Sequence, residues 1–206
     1  VDKHLSEELG HRILRVPAAS LLTRSLSELR TPFAFATTCY PRDLYEAVCG
    51  YGGQSLMNPD KVFAWKILSV ASDVFYVEAP LFSYRVHNAN QNSQQRQSGA
   101  LKHLMDQYRI SFNSDTKVLE AAKLDNTSLA KAFVEHDIGL RGLKAVAEGK
   151  RTLARRYLAF GLASYPNLIP RNLKVWLLRV ALLMGPLGTW LCGLFLERAL
   201  MKFRKM

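Results

Sequence analysis

Three groups of residues in this 206-residue chain have types and spacings suited to chemistry. The first is Asp60, which follows Asn58 and Pro59. Asn58 reads as an N-cap, Pro59 as the first helical position and Asp60 as a first-turn carboxylate. A carboxylate held there can take a proton from a hydroxyl. Helix electrostatics alone also favour Asp at such a place, so the position by itself does not assign the role. The second group is Gly50-Tyr51-Gly52-Gly53. Its glycines permit positive φ and close backbone approach, and the ring of Tyr51 offers a face for stacking or an ordinary loop contact. The third is Arg85 and His87. A guanidinium suits a diphosphate, and a neutral imidazole suits a metal, a phosphate or a simple loop hydrogen bond.

These groups need elements to position them. Pro32 to Thr38 is apolar and aromatic and predicts a buried strand. A short helix over Pro41–Val48 leads into the glycine loop, with Pro41 tolerated in its first turn. The helix that Asp60 opens runs to about Ala71. Val62, Phe63, Trp65, Ile67, Leu68 and Val70 make it apolar nearly all round and hence buried, with Trp65 a core residue. Asp73–Glu78 and Leu81–Val86 read as extended segments either side of Pro80. Residues 1–30 read as irregular or helical.

A polar stretch, Asn88 to Ser98, separates this part from a helical remainder: about Gly99–Asn113, Ser128–Glu148, Lys150–Ser164 and Asn172–Lys205. The composition shift divides the chain into residues 1–92 and 93–206. The last helix holds Val180 to Leu196 without a charge, at the lower limit for crossing a bilayer. Gly185-Pro186-Leu187-Gly188 interrupts it, and basic residues flank both ends. That pattern predicts an interfacial or re-entrant helical hairpin, or a helix pair packed on the domain.

Charge is as uneven as hydropathy. The net charge is +11. From Gly139 onward there are 13 Lys and Arg against Glu148 and Glu197, while residues 1–138 are neutral. Such asymmetry points to a tail that meets phosphate. No nucleic-acid-binding motif accompanies it, and the cations are not interleaved with aromatics, so an anionic membrane surface is the expected partner rather than nucleic acid. Cys39, Cys49 and Cys192 form no C-x-x-C pair and read as reduced thiols of a cytosol-facing protein. The chain begins with Val1 and shows no charged-then-apolar leader, so it reads as a processed product or an excised piece.

The segment Pro32–His87 resembles the second half of family-2 glycosyltransferases of the GT-A type. Tyr40-Pro41-Arg42-Asp43-Leu44-Tyr45-Glu46-Ala47-Val48-Cys49-Gly50-Tyr51-Gly52-Gly53 is similar to the family's acceptor-side R-x-x-(F/Y)-x-x-x-G-G-(F/Y) region. Asp60 stands where the family has the Asp of a Glu-Asp pair. Pro80-Leu81-Phe82-Ser83-Tyr84-Arg85-Val86-His87 is similar to P-L-x-x-Y-R-x-H. The resemblance covers about a quarter of the chain. It implies an α/β fold, an incomplete GT-A-like and Rossmann-like half, followed by an all-helical C-terminal extension. It also implies glycosyl transfer from a nucleotide-sugar donor to a glycan acceptor hydroxyl, inverting, in cell-envelope polysaccharide or glycan synthesis. Asp60 would be the base, and Tyr51, Gly52, Gly53 and Arg85 would contact substrate. His87 would contact a divalent metal, Mg or Mn, in the complete enzyme. The implied place is cytoplasmic, peripheral on the membrane's cytoplasmic face.

The departures are specific. Pro59 replaces the Glu of the pair. No two of the eight aspartates are separated by one residue, so there is no D-x-D, and no run of βα units for a nucleotide is present. A non-catalytic membrane or partner adaptor with a transferase-like fold is the alternative these departures motivate.

Overall fold

The computed structural model describes residues 2–33, 37–50, 59–80, 83, 100–112 and 115–203. They form two compact units, Val1–Leu129 and Ala130–Met206. Composition places the division near residue 92. Packing places helices Ala100–Phe112 and Thr116–Ala122 in the first unit, because their apolar faces join its core.

The first unit opens with α1 (Lys3–Leu9), capped by Asp2, whose carboxylate accepts from the Leu5 N–H at 3.1 Å. Strand β1 (Ile13–Pro17) and α2 (Ala18–Glu28) follow. The sequence reading of residues 1–30 had no strand. Only Ile13 of β1 is buried, and its partner β2 (Asp73–Val77) lies some sixty residues on, so no local apolar alternation marks it. The two strands pair antiparallel with Ile13 opposite Val77 and Pro17 opposite Asp73. Arg15 Nη2 meets Asp73 Oδ2 at 2.6 Å across the ribbon, and that hydrogen bond holds the Asp73 carboxyl below its usual range. This ribbon is the only sheet among the described residues.

The unit also contains α3 (Arg42–Ala47), α4 (Pro59–Val70), α5 (Ala100–Phe112) and α6 (Thr116–Ala122). Helix α2 lies on α4 and α6, and α4 lies on α6. Leu22, Leu26, Phe63, Leu68, Leu104, Val118 and Leu119 are buried there. The strand expected over Pro32–Thr38 is absent at its described positions: 32 and 33 are bends, 37 is 3-10 helical and 38 is irregular. Pro32 has no N–H to give a ladder. The extended segment expected over Leu81–Val86 lies, except for Ser83, outside the described residues.

Helix α7 (Asn126–Ala132) runs on into a π-helical segment, Phe133–Leu140, and then α8 (Arg141–Ala147). The expected helix over Ser128–Glu148 thus has a wider turn in its middle. In the second unit the π segment, α8, α9 (Arg151–Ser164) and α10 (Leu173–Leu183) share one core. Phe133, Ile138, Val146, Ala154, Ile169, Val175 and Leu178 are buried in it. Close approach depends on glycine: a Cβ on Gly139 would stand 2.8 Å from Lys174 Cβ, and one on Gly142 would stand 2.4 Å from Leu178 Cδ2. Lys174 donates to Glu135 of the π segment, which lowers the Glu135 pKa.

The helical stretch expected over Asn172–Lys205, with its interruption at residues 185–188, is two helices, α10 and α11 (Pro186–Phe203). Gly185, at φ +66°, makes the turn, and Pro186 begins the next helix where a missing N–H costs nothing. Arg151 Nη2 donates to the carbonyl of Leu182 and so satisfies an orphan acceptor at the end of α10. No helix among the described residues is long and apolar enough to cross a membrane.

Candidate functional site

Asp60 occupies the first turn of α4 and is half-buried. The first-turn backbone N–H groups of a helix favour a negative charge beside them, which accounts for an acid at this position. One helical turn on, at i+3 and therefore on the same face, stands Phe63. Its ring is packed by two tyrosines from the segment before the glycine loop. Tyr40 meets it edge-on at 5.3 Å between centroids, and Tyr45 lies tilted at 5.9 Å. Tyr40 and Tyr45 stack nearly parallel, 6.1 Å apart with 8° between planes. Tyr45 is exposed and Tyr40 half-buried, so part of this aromatic wall faces solvent.

The loop after α3 is shaped to the same wall. Gly50 donates its N–H to the carbonyl of Tyr45 at 2.9 Å and sits at φ +68°. A Cβ there would be 2.8 Å from the Tyr45 ring and from its hydroxyl oxygen, so glycine is required both by backbone and by space. The structure therefore brings the first residue of the predicted glycine loop, the helix before it and the helix of Asp60 together through three rings. Tyr51, Gly52, Gly53, Arg85 and His87 lie outside the described residues.

Trp65 is a core residue, as the sequence predicts. Its indole N–H donates to Ser25 Oγ at 2.7 Å, and Ser25 Oγ donates to the carbonyl of Arg30. Next to the candidate base the sequence reading missed a residue. Lys61 is only 3% exposed. Its ammonium donates to the carbonyl of Leu29 and to Gln107 Oε1 at 2.6 Å, and it stands 5.2 Å from the Trp65 ring centroid. Gln107 and its sequence neighbour Asp106, both of α5, are buried as well. This polar network ties the start of α4 to the end of α2 and to α5, and so fixes the turn that carries Asp60. The available signal was slight: α4 carries two lysines, Lys61 and Lys66, among apolar residues, and a buried charge needs built partners that the local pattern does not show.

No group of three or more His, Cys, Asp or Glu among the described residues is arranged to hold a metal. The divalent ion implied by the resemblance thus has no such ligand group among them. Comparison with protein-family models, curated proteins and solved structures finds no match to this chain.

Proposed function

We propose that this chain supplies the acceptor side of an inverting glycosyl transfer, with Asp60 as the general base. The observation that carries the reading is that Asp60 shares a helix face with Phe63, whose ring packs on Tyr40 and on Tyr45, and that Tyr45 in turn lies against Gly50. Sugars present C–H faces that pack on aromatic rings, and the part-exposed tyrosines offer such rings. In the proposed step an acceptor oxygen attacks the anomeric carbon as Asp60 takes its proton. The bond from that carbon to the diphosphate breaks, and the nucleoside diphosphate leaves with the electron pair. Backside attack inverts the anomeric centre. Arg85 and the glycines after Gly50 are assigned to substrate, and His87 to the divalent metal of the complete enzyme. The donor diphosphate would be held by a nucleotide-binding half with its own acidic motif. The reaction belongs on the cytoplasmic side, in glycan or polysaccharide synthesis.

The test is Asp60→Asn in the catalytically complete protein, read by nucleoside-diphosphate release. Asn keeps the shape and cannot accept the proton, so turnover should fall ~10²–10⁴-fold with folding and donor binding near normal. Near-wild-type turnover removes Asp60 from the role. Pro59 in place of the family's Glu, and the lack of D-x-D, favour one second reading, a non-catalytic adaptor. Failure of the intact protein to release diphosphate from any nucleotide sugar supports it.

A further inference from the structure

The second unit carries 14 Lys and Arg against four Asp and Glu, nearly all of the molecule's excess positive charge. Its C-terminal hairpin also leaves apolar side chains bare. On α10, Leu173, Trp176, Leu177, Leu183 and Met184 are exposed, at the i, i+3, i+4 spacing of one helix face. The opposite face, Val175, Leu178, Ala181 and Leu182, is the one that enters the core. On α11, Leu187, Trp190 and Leu194 repeat the exposed pattern. The values are high for such residues: Leu183 is 86% exposed, Trp190 60% and Trp176 55%. An ordinary packed helix pair does not present two tryptophans and several leucines to water along two stripes.

We infer that the α10–α11 hairpin docks on an anionic lipid surface, its two bare stripes entering the headgroup boundary while basic side chains meet the phosphates. Charge complementarity selects this occupant. Helical spacing puts Lys174 and Arg179 on either flank of the α10 stripe, with Arg171 just before it. Arg171 and Arg179 form no ion pair among the described residues, as do Arg155 and Arg156 of α9. A second copy of this chain would instead bring two strongly cationic units together, which repel. Length agrees with lying in the interface. At about 1.5 Å per residue α10 and α11 reach ~16 and ~27 Å, each short of a ~30 Å hydrocarbon core. Tryptophan is also the side chain that favours the headgroup level. The inference does not depend on the glycosyl-transfer reading.

The test uses the full chain with phosphatidylcholine vesicles, with and without phosphatidylserine, and brominated phosphatidylcholine as a quencher. The chain should sediment with the phosphatidylserine vesicles, and its tryptophan emission should be quenched. Trp176→Ala/Trp190→Ala should weaken binding about tenfold or more and leave only the emission of buried Trp65, unquenched. Both replaced rings are exposed, so the variant should keep its helical circular dichroism. Arg171→Gln/Arg179→Gln should weaken binding to anionic vesicles only. Added salt should reduce wild-type binding without eliminating it, since screening acts on the charges and not on the rings. Three results would overturn the inference: no vesicle binding by the folded chain, equal binding to neutral and anionic vesicles, or wild-type binding by the double tryptophan variant. A lipid-free dimer that shifts the emission of Trp176 and Trp190 to the blue would assign the stripes to a second copy instead.

Discussion

At the scale of single residues, Asp60 and Lys61 are neighbours with opposite fates. A step of one residue turns about 100° around a helix, so the acid stays at the rim while the ammonium points into the core. The cost of burying Lys61 is offset by hydrogen bonds to Gln107 and Leu29 and by the Trp65 ring. We expect Lys61→Met to keep the apolar stem and lose the donors. Gln107 Oε1 and the Leu29 carbonyl would each lose their bond to Lys61, destabilising the first unit by roughly 1–3 kcal/mol in urea titrations followed by Trp65 fluorescence in the Trp176→Ala/Trp190→Ala background. Unchanged stability would show that the network does not hold α4. The chemistry of the site was only partly legible in the sequence. Asp60 was marked by its helix-start signals, which are local. The Tyr40–Tyr45–Phe63 wall was not, because it joins residues about twenty positions apart. Lys61 is not legible either, because charge in a helix ordinarily marks a solvated face.

At the scale of elements, two glycines of α11 make opposite predictions. A Cβ on Gly188 would lie 2.1 Å from the backbone oxygen of Ala181, so α10 and α11 touch backbone to backbone there. Gly188→Ala forces them apart and should cost ~1–3 kcal/mol or more. Gly193 has nothing within 4 Å of its Cβ direction. Gly193→Ala should therefore stabilise the helix, by up to about 1 kcal/mol, through propensity alone. Thermal denaturation followed at a helical band separates the two; a shared sign would contradict the packing of the hairpin. Legibility at this scale tracks locality. Helix α4, helix α9 and the break at Gly185 are written in caps, prolines and apolar spacing. The π segment is not, since Phe133–Leu140 carries the same apolar pattern as an α-helix, and its close approach to α10 at Gly139 is a tertiary contact. Strand β1 is not either: one buried residue, Ile13, is too little pattern for a strand whose partner is remote.

At the scale of the molecule, charge segregation has a consequence for stability. The four acids of the second unit include Glu135, Asp137 and Glu148, each already paired, with Lys174, Arg141 and Lys150 respectively. The remaining cations repel one another, and salt screens that repulsion more than it weakens a few close pairs. The helical melting midpoint should therefore rise by a few degrees between low and physiological salt, away from any lipid. A midpoint that falls with salt would mean that the ion pairs outweigh the excess charge.

The β1–β2 ladder also decides where this chain can be cut. By pairing residues 13–17 with 73–77 it closes everything between them into a loop, with α2 and α4 inside. Lengthening that loop between residues 31 and 40 changes only its circumference, and each doubling of a flexible loop costs only about 0.6 kcal/mol. A fragment begun at Ala18, at what looks like a clean helix start, would strip β2 of its partner. It would leave a bare row of N–H and C=O groups along Asp73–Val77, an edge inviting other chains to add to it. Expression boundaries drawn from helix signals alone would thus turn the ribbon into an aggregation site, whereas boundaries that retain Arg12, which accepts from Glu78 at 2.9 Å, keep the ladder closed.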